Sequence, residues 1–215
     1  MKHLTIDIVS DVVCPWCAIG YGNLRQALNQ LERNIQVDVQ WHPFQLNPYM
    51  GKEGQEINEH LGEKYGLNEQ QLADNKQRIQ EVGAQAGIDF NFDQRSRIYN
   101  TLDCHVLLHL ANESGKQTEL KLALFKAYFS EGKDISDREV LVGIAASVGI
   151  ETQAVLAALD DEEIREVVKQ EESQFKQMGI QSVPAFIINN KYLISGGQPV
   201  EAFVQGLQEI AEKEA

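Results

Sequence analysis

The amino-acid sequence predicts an α/β fold interrupted by a long helical segment, and three patterns support this prediction. Apolar and polar residues alternate as in β-strands near both ends of the 215-residue chain. Between about residues 51 and 179 the apolar residues recur at helical spacing instead. Two cysteines, Cys14 and Cys17, stand where the first strand pattern gives way to a helical one. We therefore predict an α/β domain built from residues 1–50 and 180–215, and an all-helical insertion domain formed by residues 51–179, with an active site in the cleft between them.

The N-terminal part of the chain has the pattern strand, helix, strand. Leu4, Ile6 and Ile8 recur with a period of two, which is typical of a strand. Pro15 then fits the first turn of a helix, because its missing N–H costs nothing there. Strict alternation resumes over residues 35–41. These three elements within about forty residues indicate a crossover unit with two parallel strands.

Capping residues predict helix boundaries in the middle of the chain. Two pairs have the spacing of reciprocal N-terminal capping, Asn68 with Gln71 and Ser136 with Glu139. A further helix is expected to begin at Asp160 or Asp161, with Gly179 as its left-handed C-terminal residue.

The C-terminal part of the chain predicts a hairpin and a last helix. Residues 184–188 and 192–194 have strand character, and Asn189-Asn190 between them has the composition of a tight turn. Pro199 is expected to open the final helix.

Charge and hydropathy exclude two classes of partner. The chain carries 19 Lys and Arg against 32 Asp and Glu, a net charge of −13, and no basic run suited to nucleic acid. No stretch approaches the roughly 20 apolar residues that span a bilayer. Asp7 and Asp11 also break the apolar pattern at the start, so we expect a cytoplasmic protein, either monomer or homodimer.

The two close cysteines suit redox chemistry. A cysteine at a helix N-cap faces free N–H groups and the positive end of the helix dipole, which favour the thiolate, so Cys14 is the predicted nucleophile. Cys17, one turn further along, is the predicted resolving thiol. In a reducing cytosol such a pair is more often catalytic or metal-binding than structural. Asp7 either accepts the proton of Cys17 or is simply a polar residue of an edge strand.

A metal site is not expected. Outside the cysteine pair, the residues Cys104, His105 and His109 cluster, but their spacing matches no usual zinc motif. We interpret Cys104 as a small buried residue and the two histidines as a partly exposed helix face.

A proline near the C-terminal hairpin is a second functional candidate. Pro184 stands at the first position of a predicted strand, where it removes no central ladder bond. We predict a cis Val183-Pro184 bond, the alternative being an ordinary trans proline.

Three motifs in this order resemble the DsbA family, and within it the FrnE-type intracellular branch. They are SDVVCPWCAIGYGNL, WHPFQLNP and GIQSVPAFIINNKYLISGGQP, and the resemblance covers nearly the whole chain. It implies a thioredoxin-like fold with a helical insertion, and dithiol-disulfide oxidoreductase or isomerase activity on disulfide-containing proteins or small thiols. No permanently bound cofactor or metal is implied.

The resemblance also assigns residues. It implies that Cys14 and Cys17 are the redox pair, that Pro184 faces them, and that Pro15, Trp16 and Val183 tune the pair and bind substrate. Two departures limit it. Trp16 replaces the histidine of the periplasmic oxidant, so strong oxidising power is not expected. No cysteine follows Cys104, which excludes a second redox pair near the C-terminus.

Two other functions are compatible with this layout. Kappa-class glutathione transferases and 2-hydroxychromene-2-carboxylate isomerases resemble the chain but typically have Ser where Cys14 stands. Glutathione is still a candidate co-substrate, bound against Val183 and the turn at Gly197 and Gln198. A chaperone-like binder would use an apolar groove around Trp16, Phe44 and Pro184, although Phe44 fits the core better.

Overall fold

A four-stranded mixed sheet forms the centre of the fold in the computed structural model, which describes residues 2–31 and 35–214. Its strands are β1 (Lys2–Ser10), β2 (Ile35–Pro43), β5 (Ala185–Ile188) and β6 (Tyr192–Ser195). The strand order is β2-β1-β5-β6. β1 and β2 run parallel from the pair Lys2 and Ile35 to the pair Ser10 and Pro43. β5 is antiparallel to both β1 and β6.

Helices surround this sheet. Their bounds are α1 (Pro15–Gln30), α2 (Ile57–Tyr65), α3 (Glu69–Gln85), α4 (Leu102–Glu113), α5 (Gln117–Phe125), α6 (Arg138–Ser147), α7 (Thr152–Leu159), α8 (Glu162–Gln177) and α9 (Val200–Lys213). A π-helical segment, Lys126–Ser130, continues α5. α1 packs against α9, while α4, α5 and α8 contact β2. The fold is therefore the predicted α/β fold with a helical insertion.

Helix α1 lies close to its neighbours because of two glycines. A Cβ on Gly22 would collide with the carbonyl oxygen of Ala86, just after α3. A Cβ on Gly20 would lie 3.0 Å from the ring of Phe186 and 3.2 Å from Pro184. Glycine thus lets the first two turns of α1 approach the segment before β5, which places the cysteines beside Pro184.

Most predicted element boundaries are confirmed. Asn68 and Gln71 form the reciprocal capping box of α3, and Asp161 is the N-cap of α8. Asn189 and Asn190 have φ values of 51° and 53°, which makes the turn between β5 and β6 tight. Gly179 follows α8 with a φ of 95°.

Three predictions need correction. Asp137, not Ser136, is the N-cap of α6, because its carboxylate accepts the N–H of Val140 and also suits the helix dipole. Pro199 is the N-cap of α9 rather than its first residue. The insertion also contains a small antiparallel pair of strands, β3 (Gln55–Glu56) and β4 (Arg97–Ile98), which are too short to show a period of two.

One continuous apolar core connects the sheet with the insertion. It contains Ile6 and Ile8 of β1, Leu24 of α1, Leu107 of α4 and Leu120 of α5. The helices of the insertion therefore pack on the sheet through shared buried residues. The domain limits at residues 51 and 179 stay a prediction.

Within residues 2–31 and 35–214, no helix combines the length and the apolar character that a membrane span requires.

Candidate active site

Cys14 occupies the N-cap of α1, as predicted. Its backbone is extended (φ −90°, ψ 110°), and Pro15 is the first helical residue. The carbonyl oxygen of Cys14 accepts the N–H of Cys17 at 3.1 Å, which closes the first turn. Its thiol donates to the carbonyl oxygen of Val183 at 3.8 Å. The sulfur of Cys14 therefore lies between the helix N-terminus and the segment before β5.

Cys17 lies one turn deeper and has no solvent-exposed surface. Burial raises the pKa of the Cys17 thiol well above its usual range, and its hydrogen bond with Cys14 and the charge of Cys14 act in the same direction. Cys14, Cys17 and Cys104 are all free thiols in this structure. A protonated, buried Cys17 beside a less shielded Cys14 suits the roles of resolving thiol and nucleophile.

The Val183-Pro184 peptide bond is cis, as predicted. Pro184 is buried, and its carbonyl oxygen accepts the N–H of Gly196 at 2.8 Å. Trp16 is half-buried, and the guanidinium of Arg78 lies 5.8 Å from the centre of its ring. The structure thus brings together Cys14, Trp16, Val183 and Pro184. Their functional roles stay predictions.

Phe44 belongs to the core rather than to an open groove. It is buried in a cluster with Val9, Ile180, Ala185 and Ile187. The prediction that Phe44 is a core aromatic is confirmed.

Asp7 is engaged by a histidine. Its carboxylate accepts from Nε2 of His42 at 2.7 Å, and Nδ1 of the same ring lies 2.5 Å from a carboxylate oxygen of Glu171. The groups that act on the pKa of Cys17 are Cys14, Lys121 and the backbone of Asp11. A role for Asp7 as proton acceptor stays a prediction.

The ion-pair arrangement at His42 leads to a pH-dependent stability. Burial alone would lower the pKa of His42, but the hydrogen bonds and charges of Asp7 and Glu171 outweigh burial and raise it to about 9. Because this value lies above that of an unfolded histidine, the stabilisation is complete below the unfolded pKa, roughly 6.5, and is lost as the pH rises through the folded pKa.

We expect His42→Gln to lower the free energy of unfolding by roughly 2–3 kcal/mol at low pH, with a smaller loss as the pH approaches 9.5. Urea denaturation between pH 6 and 9.5 would measure it. His3→Gln is a matched control, because the His3 and Asp38 side chains are 49% and 66% exposed. A difference between wild type and His42→Gln that stays constant over this pH range would contradict the assigned ion pairs.

A buried cluster beneath the cysteines was not predicted. Asp11, between β1 and α1, is fully buried, and its carboxylate accepts the N–H of Leu46 at 2.8 Å. Burial would raise its pKa, but His105, Leu46 and Lys121 together lower it. Lys121 on α5 is also fully buried, 5.2 Å from the ring centres of both Trp41 and Phe125.

A sequence signal for Lys121 does exist. The apolar stripe of α5 and its continuation runs through Leu120, Leu124, Phe125 and Tyr128, and Lys121 occupies a position within that stripe. A charged residue on a buried face is the observation that marks it as unusual.

The histidines of α4 require a correction. His105 was predicted to be partly exposed, but it is buried because it packs behind β2, where Nε2 bonds the carbonyl oxygen of Phe44 at 3.2 Å. His109 is half-buried and lines a cavity of about 380 Å³ together with His42 and His105. Cys104 is buried as predicted.

Within residues 2–31 and 35–214, no group of three or more His, Cys, Asp or Glu side chains is arranged to hold a metal ion.

The segment after β2, residues 44–46, connects this cluster to α8. Glu172, which is buried, accepts the backbone N–H of Gln45 at 2.7 Å and its side-chain amide at 2.9 Å. The next residue, Leu46, donates to Asp11. The backbone carbonyl oxygen of Asp11 in turn accepts the N–H of Cys14 at 3.3 Å. The WHPFQLNP motif therefore positions the loop that carries Cys14.

A central mixed sheet, a cysteine pair at the start of α1 and a cis proline opposite Cys14 define a thioredoxin-like protein. The chain belongs to the family described as DSBA-like thioredoxin domain, which matches residues 5–208. This confirms the resemblance to the DsbA family.

Individual proteins are similar over most of the chain. The uncharacterized protein YwbO of Bacillus subtilis (strain 168) is 26% identical over 209 residues, which cover 97% of this chain and 98% of YwbO. The crystal structure of the probable DsbA oxidoreductase SCO1869 from Streptomyces coelicolor is 31% identical with a TM-score of 0.91, over 99% of this chain and 92% of that one. The cytosolic disulfide reductase DsbM from Pseudomonas aeruginosa with GSH shares the fold, with a TM-score of 0.67 and 18% identity, over 97% of this chain and 99% of that one.

Proposed function

We propose that this protein is a cytoplasmic dithiol-disulfide oxidoreductase or isomerase that exchanges disulfides with proteins or low-molecular-weight thiols through Cys14 and Cys17. One observation carries the proposal. The N-cap thiol of Cys14 faces the carbonyl oxygen of Val183 beside the cis Pro184, while Cys17 lies fully buried one turn behind it. This arrangement gives the two thiols different access to substrate, as a two-step exchange requires.

The reaction proceeds through a mixed disulfide. The Cys14 thiolate attacks one sulfur of a substrate disulfide, and the other substrate sulfur leaves as a thiolate. Cys17 then loses its proton and attacks the sulfur of Cys14, which releases the second substrate sulfur and leaves a Cys14-Cys17 disulfide. A reducing thiol must reverse these steps before the next cycle.

Substrate binding is assigned to the residues around Cys14. An extended peptide pairs with the backbone at Val183, in the manner of strand addition. Pro15 and Trp16 form the adjoining surface. Tyr65, at the end of α2, is 56% exposed, and its pKa is raised by partial burial and by the charge of Cys14. The insertion therefore contributes an exposed aromatic ring at the end of α2.

Glutathione is the proposed reducing co-substrate, and no permanently bound cofactor is proposed. The turn at Gly197 and Gln198 lies against Trp16, since a Cβ on Gly197 would be 3.0 Å from the carbonyl oxygen of Trp16. A thiol peptide bound at Val183 and this turn would place its sulfur next to Cys14. The presence of GSH in the DsbM structure supports this proposal.

A glutathione-dependent transferase or isomerase of the kappa or 2-hydroxychromene-2-carboxylate type is the second candidate. Such an enzyme would need a single catalytic side chain, the one at position 14. This chain instead places a second, buried thiol directly behind Cys14. The pair of thiols favours dithiol exchange. The assignment to the FrnE-type branch stays a prediction.

A redox titration tests the proposal. The protein is equilibrated with buffers of reduced and oxidised glutathione, free thiols are trapped by alkylation, and Cys104→Ser removes the third thiol signal. We expect one two-electron transition between dithiol and Cys14-Cys17 disulfide, and its midpoint relative to the cytosolic pool gives the direction of the reaction. If no Cys14-Cys17 disulfide forms at any ratio of reduced to oxidised glutathione, the dithiol mechanism is wrong. The glutathione-dependent transferase or isomerase then becomes the leading proposal.

A further inference from the structure

Arg95, in the segment before β4, carries a positive charge that no carboxylate of the described residues balances. Its Nε atom is buried and has no hydrogen-bond partner there. Burial lowers the pKa of the guanidinium, and the group that acts against burial is Tyr128. Burial raises the pKa of Tyr128 itself to about 12, so its phenol is uncharged at neutral pH. A partly buried cation with only a neutral partner is costly, and a bound anion would compensate it.

Three aromatic rings hold the guanidinium of Arg95. Its central carbon lies 4.3 Å from the ring centre of Phe92 and 5.3 Å from those of Tyr128 and Phe129. The faces of such rings attract a cation, but they do not offer lone pairs to its five N–H donors. The hydroxyl of Tyr128 donates to the carbonyl oxygen of Arg97 at 3.0 Å. The rings therefore position the guanidinium and leave its terminal N–H groups to an oxygen ligand.

The π-helical segment Lys126–Ser130 supplies two of these rings, those of Tyr128 and Phe129. Turns of this kind are rare and occur frequently at functional sites. The carbonyl oxygen of Phe129 also accepts the N–H of Asn91 at 2.9 Å. A backbone hydrogen bond thus fixes the segment that carries Phe92 and Arg95 to the π-helical turn.

Arg95 lines a cavity of about 430 Å³ between α2, α3 and the segment before β4. Pockets for small molecules have volumes of roughly 300–1,000 Å³ and mostly apolar walls. The two helices contribute the apolar wall of this one, with Ile57, Leu61, Leu72 and Ile79. The lining shares no residue with the group formed by Cys14, Trp16, Val183 and Pro184. The cavity is therefore distinct from the candidate active site.

The charges of the lining favour a ligand with a single negative charge. Besides Arg95, the charged residues of the lining are Glu56, Glu69 and Lys76. Lys76 pairs with Asp93 at 2.6 Å, and Glu56 caps α2. Within the described residues, Arg95 is thus the cation of this lining that lacks an acidic partner. Two carboxylates in the lining oppose a doubly charged phosphate, whereas one carboxylate matches the planar fork of a guanidinium.

We propose that this cavity binds a small monocarboxylate with an apolar body, such as a short aryl- or alkylcarboxylate. Its carboxylate bonds the terminal N–H groups of Arg95, and its apolar body packs between α2 and α3. The site is independent of the proposed redox function, because it uses none of the residues around Cys14.

A chemical-shift titration of the ¹⁵N-labelled full-length protein tests the site. The probe is 4-phenylbutyrate, and 4-phenylbutanamide is its uncharged counterpart. We expect the acid to bind with a Kd of about 1 mM or below and to shift the backbone amides of the lining residues. The amide should bind at least about tenfold more weakly, because it lacks the charge-assisted hydrogen bonds to Arg95.

Arg95→Met should bind the acid as weakly as the amide, at least about tenfold more weakly than the wild type binds the acid. Arg138→Met is the matched control. The Arg138 side chain on α6 is 45% exposed, pairs with Asp160 and lies outside the lining of the cavity. This control should keep the wild-type affinity for the acid.

Ala73→Trp tests the cavity without changing Arg95. Ala73 on α3 lines the cavity and is exposed, so a tryptophan there would fill the space from the surface. We expect this variant to lose binding of both probes. It keeps the proposal testable even if Arg95→Met does not fold.

Four results would overturn the proposal. Shifts confined to the residues around Cys14, or no shift at millimolar 4-phenylbutyrate, would show that the cavity does not bind this class of ligand. Wild-type affinity in Ala73→Trp would place the probe elsewhere. Equal binding of acid and amide by the wild type would remove the role of Arg95. Tighter binding of phenyl phosphate than of 4-phenylbutyrate would contradict a singly charged ligand.

Discussion

Replacing Cys14 with serine is expected to reduce the rate of disulfide exchange by at least about 10³-fold, because the hydroxyl cannot supply a thiolate nucleophile at neutral pH. Cys14 is the thiol that borders the Val183 carbonyl, while Cys17 is fully buried behind it. No other cysteine can take over, since Cys104 is also buried. Reduction of insulin by dithiothreitol, followed as precipitation of the released chains, would measure the loss.

Cys17→Ser is the matched comparison, because it removes the second thiol and keeps the first. We expect this variant to form a mixed disulfide with one substrate sulfur and then to stop, so that mass spectrometry detects a covalent adduct at Cys14. A Cys14→Ser variant that retains turnover, or a Cys17→Ser variant that accumulates no adduct with an oxidised substrate, would contradict the assigned order of attack.

The same pair of variants distinguishes an enzyme from a chaperone-like binder. Binding of an unfolded client without disulfides should survive Cys14→Ser if the surface around Trp16 and Pro184 is what recognises it. Loss of turnover with retained client binding would show that the two properties coexist, whereas retained turnover would exclude the oxidoreductase reading.

Sequence patterns located the elements that depend on local signals. The cysteine pair at a strand-to-helix boundary, the proline before β5 and the Asn189-Asn190 turn each have a local chemical reason, and each has the predicted conformation in the structure. The parallel pairing of β1 with β2 likewise follows from the helix between them.

These local patterns do not predict contacts between segments that are distant in the sequence. Lys121 lies 5.2 Å from the ring centre of Trp41 on the distant strand β2, and Glu171 meets His42 across 129 residues of the chain. A residue's spacing in its own helix does not reveal which element covers that helix. A charged residue within an apolar stripe, such as Lys121, is the feature of the local sequence that indicates such a contact.

The three-residue capping rule failed at α6 for a related reason. Ser136 and Glu139 have suitable identities and spacing, yet Asp134 binds both the backbone N–H and the hydroxyl of Ser136. Asp137 is then free to cap the helix. Two adjacent acceptors compete for the same turn, and the sequence pattern does not rank them.

Glu172→Ala is expected to lower the free energy of unfolding by about 3 kcal/mol, because it leaves two donors of buried Gln45 without an acceptor and each such group costs about 1–3 kcal/mol. Those donors lie 2.7 and 2.9 Å from the Glu172 carboxylate, which also binds Lys176 at 2.7 Å. The loss comes from the connection between α8 and the segment after β2, so the dependence on denaturant should keep its wild-type slope.

Glu166→Ala, six residues earlier on the same helix, is the control because the Glu166 side chain is 58% exposed and pairs with the exposed Lys169 at 2.7 Å. We expect its effect to stay within about 0.5 kcal/mol. Urea denaturation of both variants provides the comparison. If Glu172→Ala and Glu166→Ala lose equal stability, the carboxylate of Glu172 does not hold residues 44–46. In that case the support of Asp11 and of the Cys14 loop must come from His105 and the core alone.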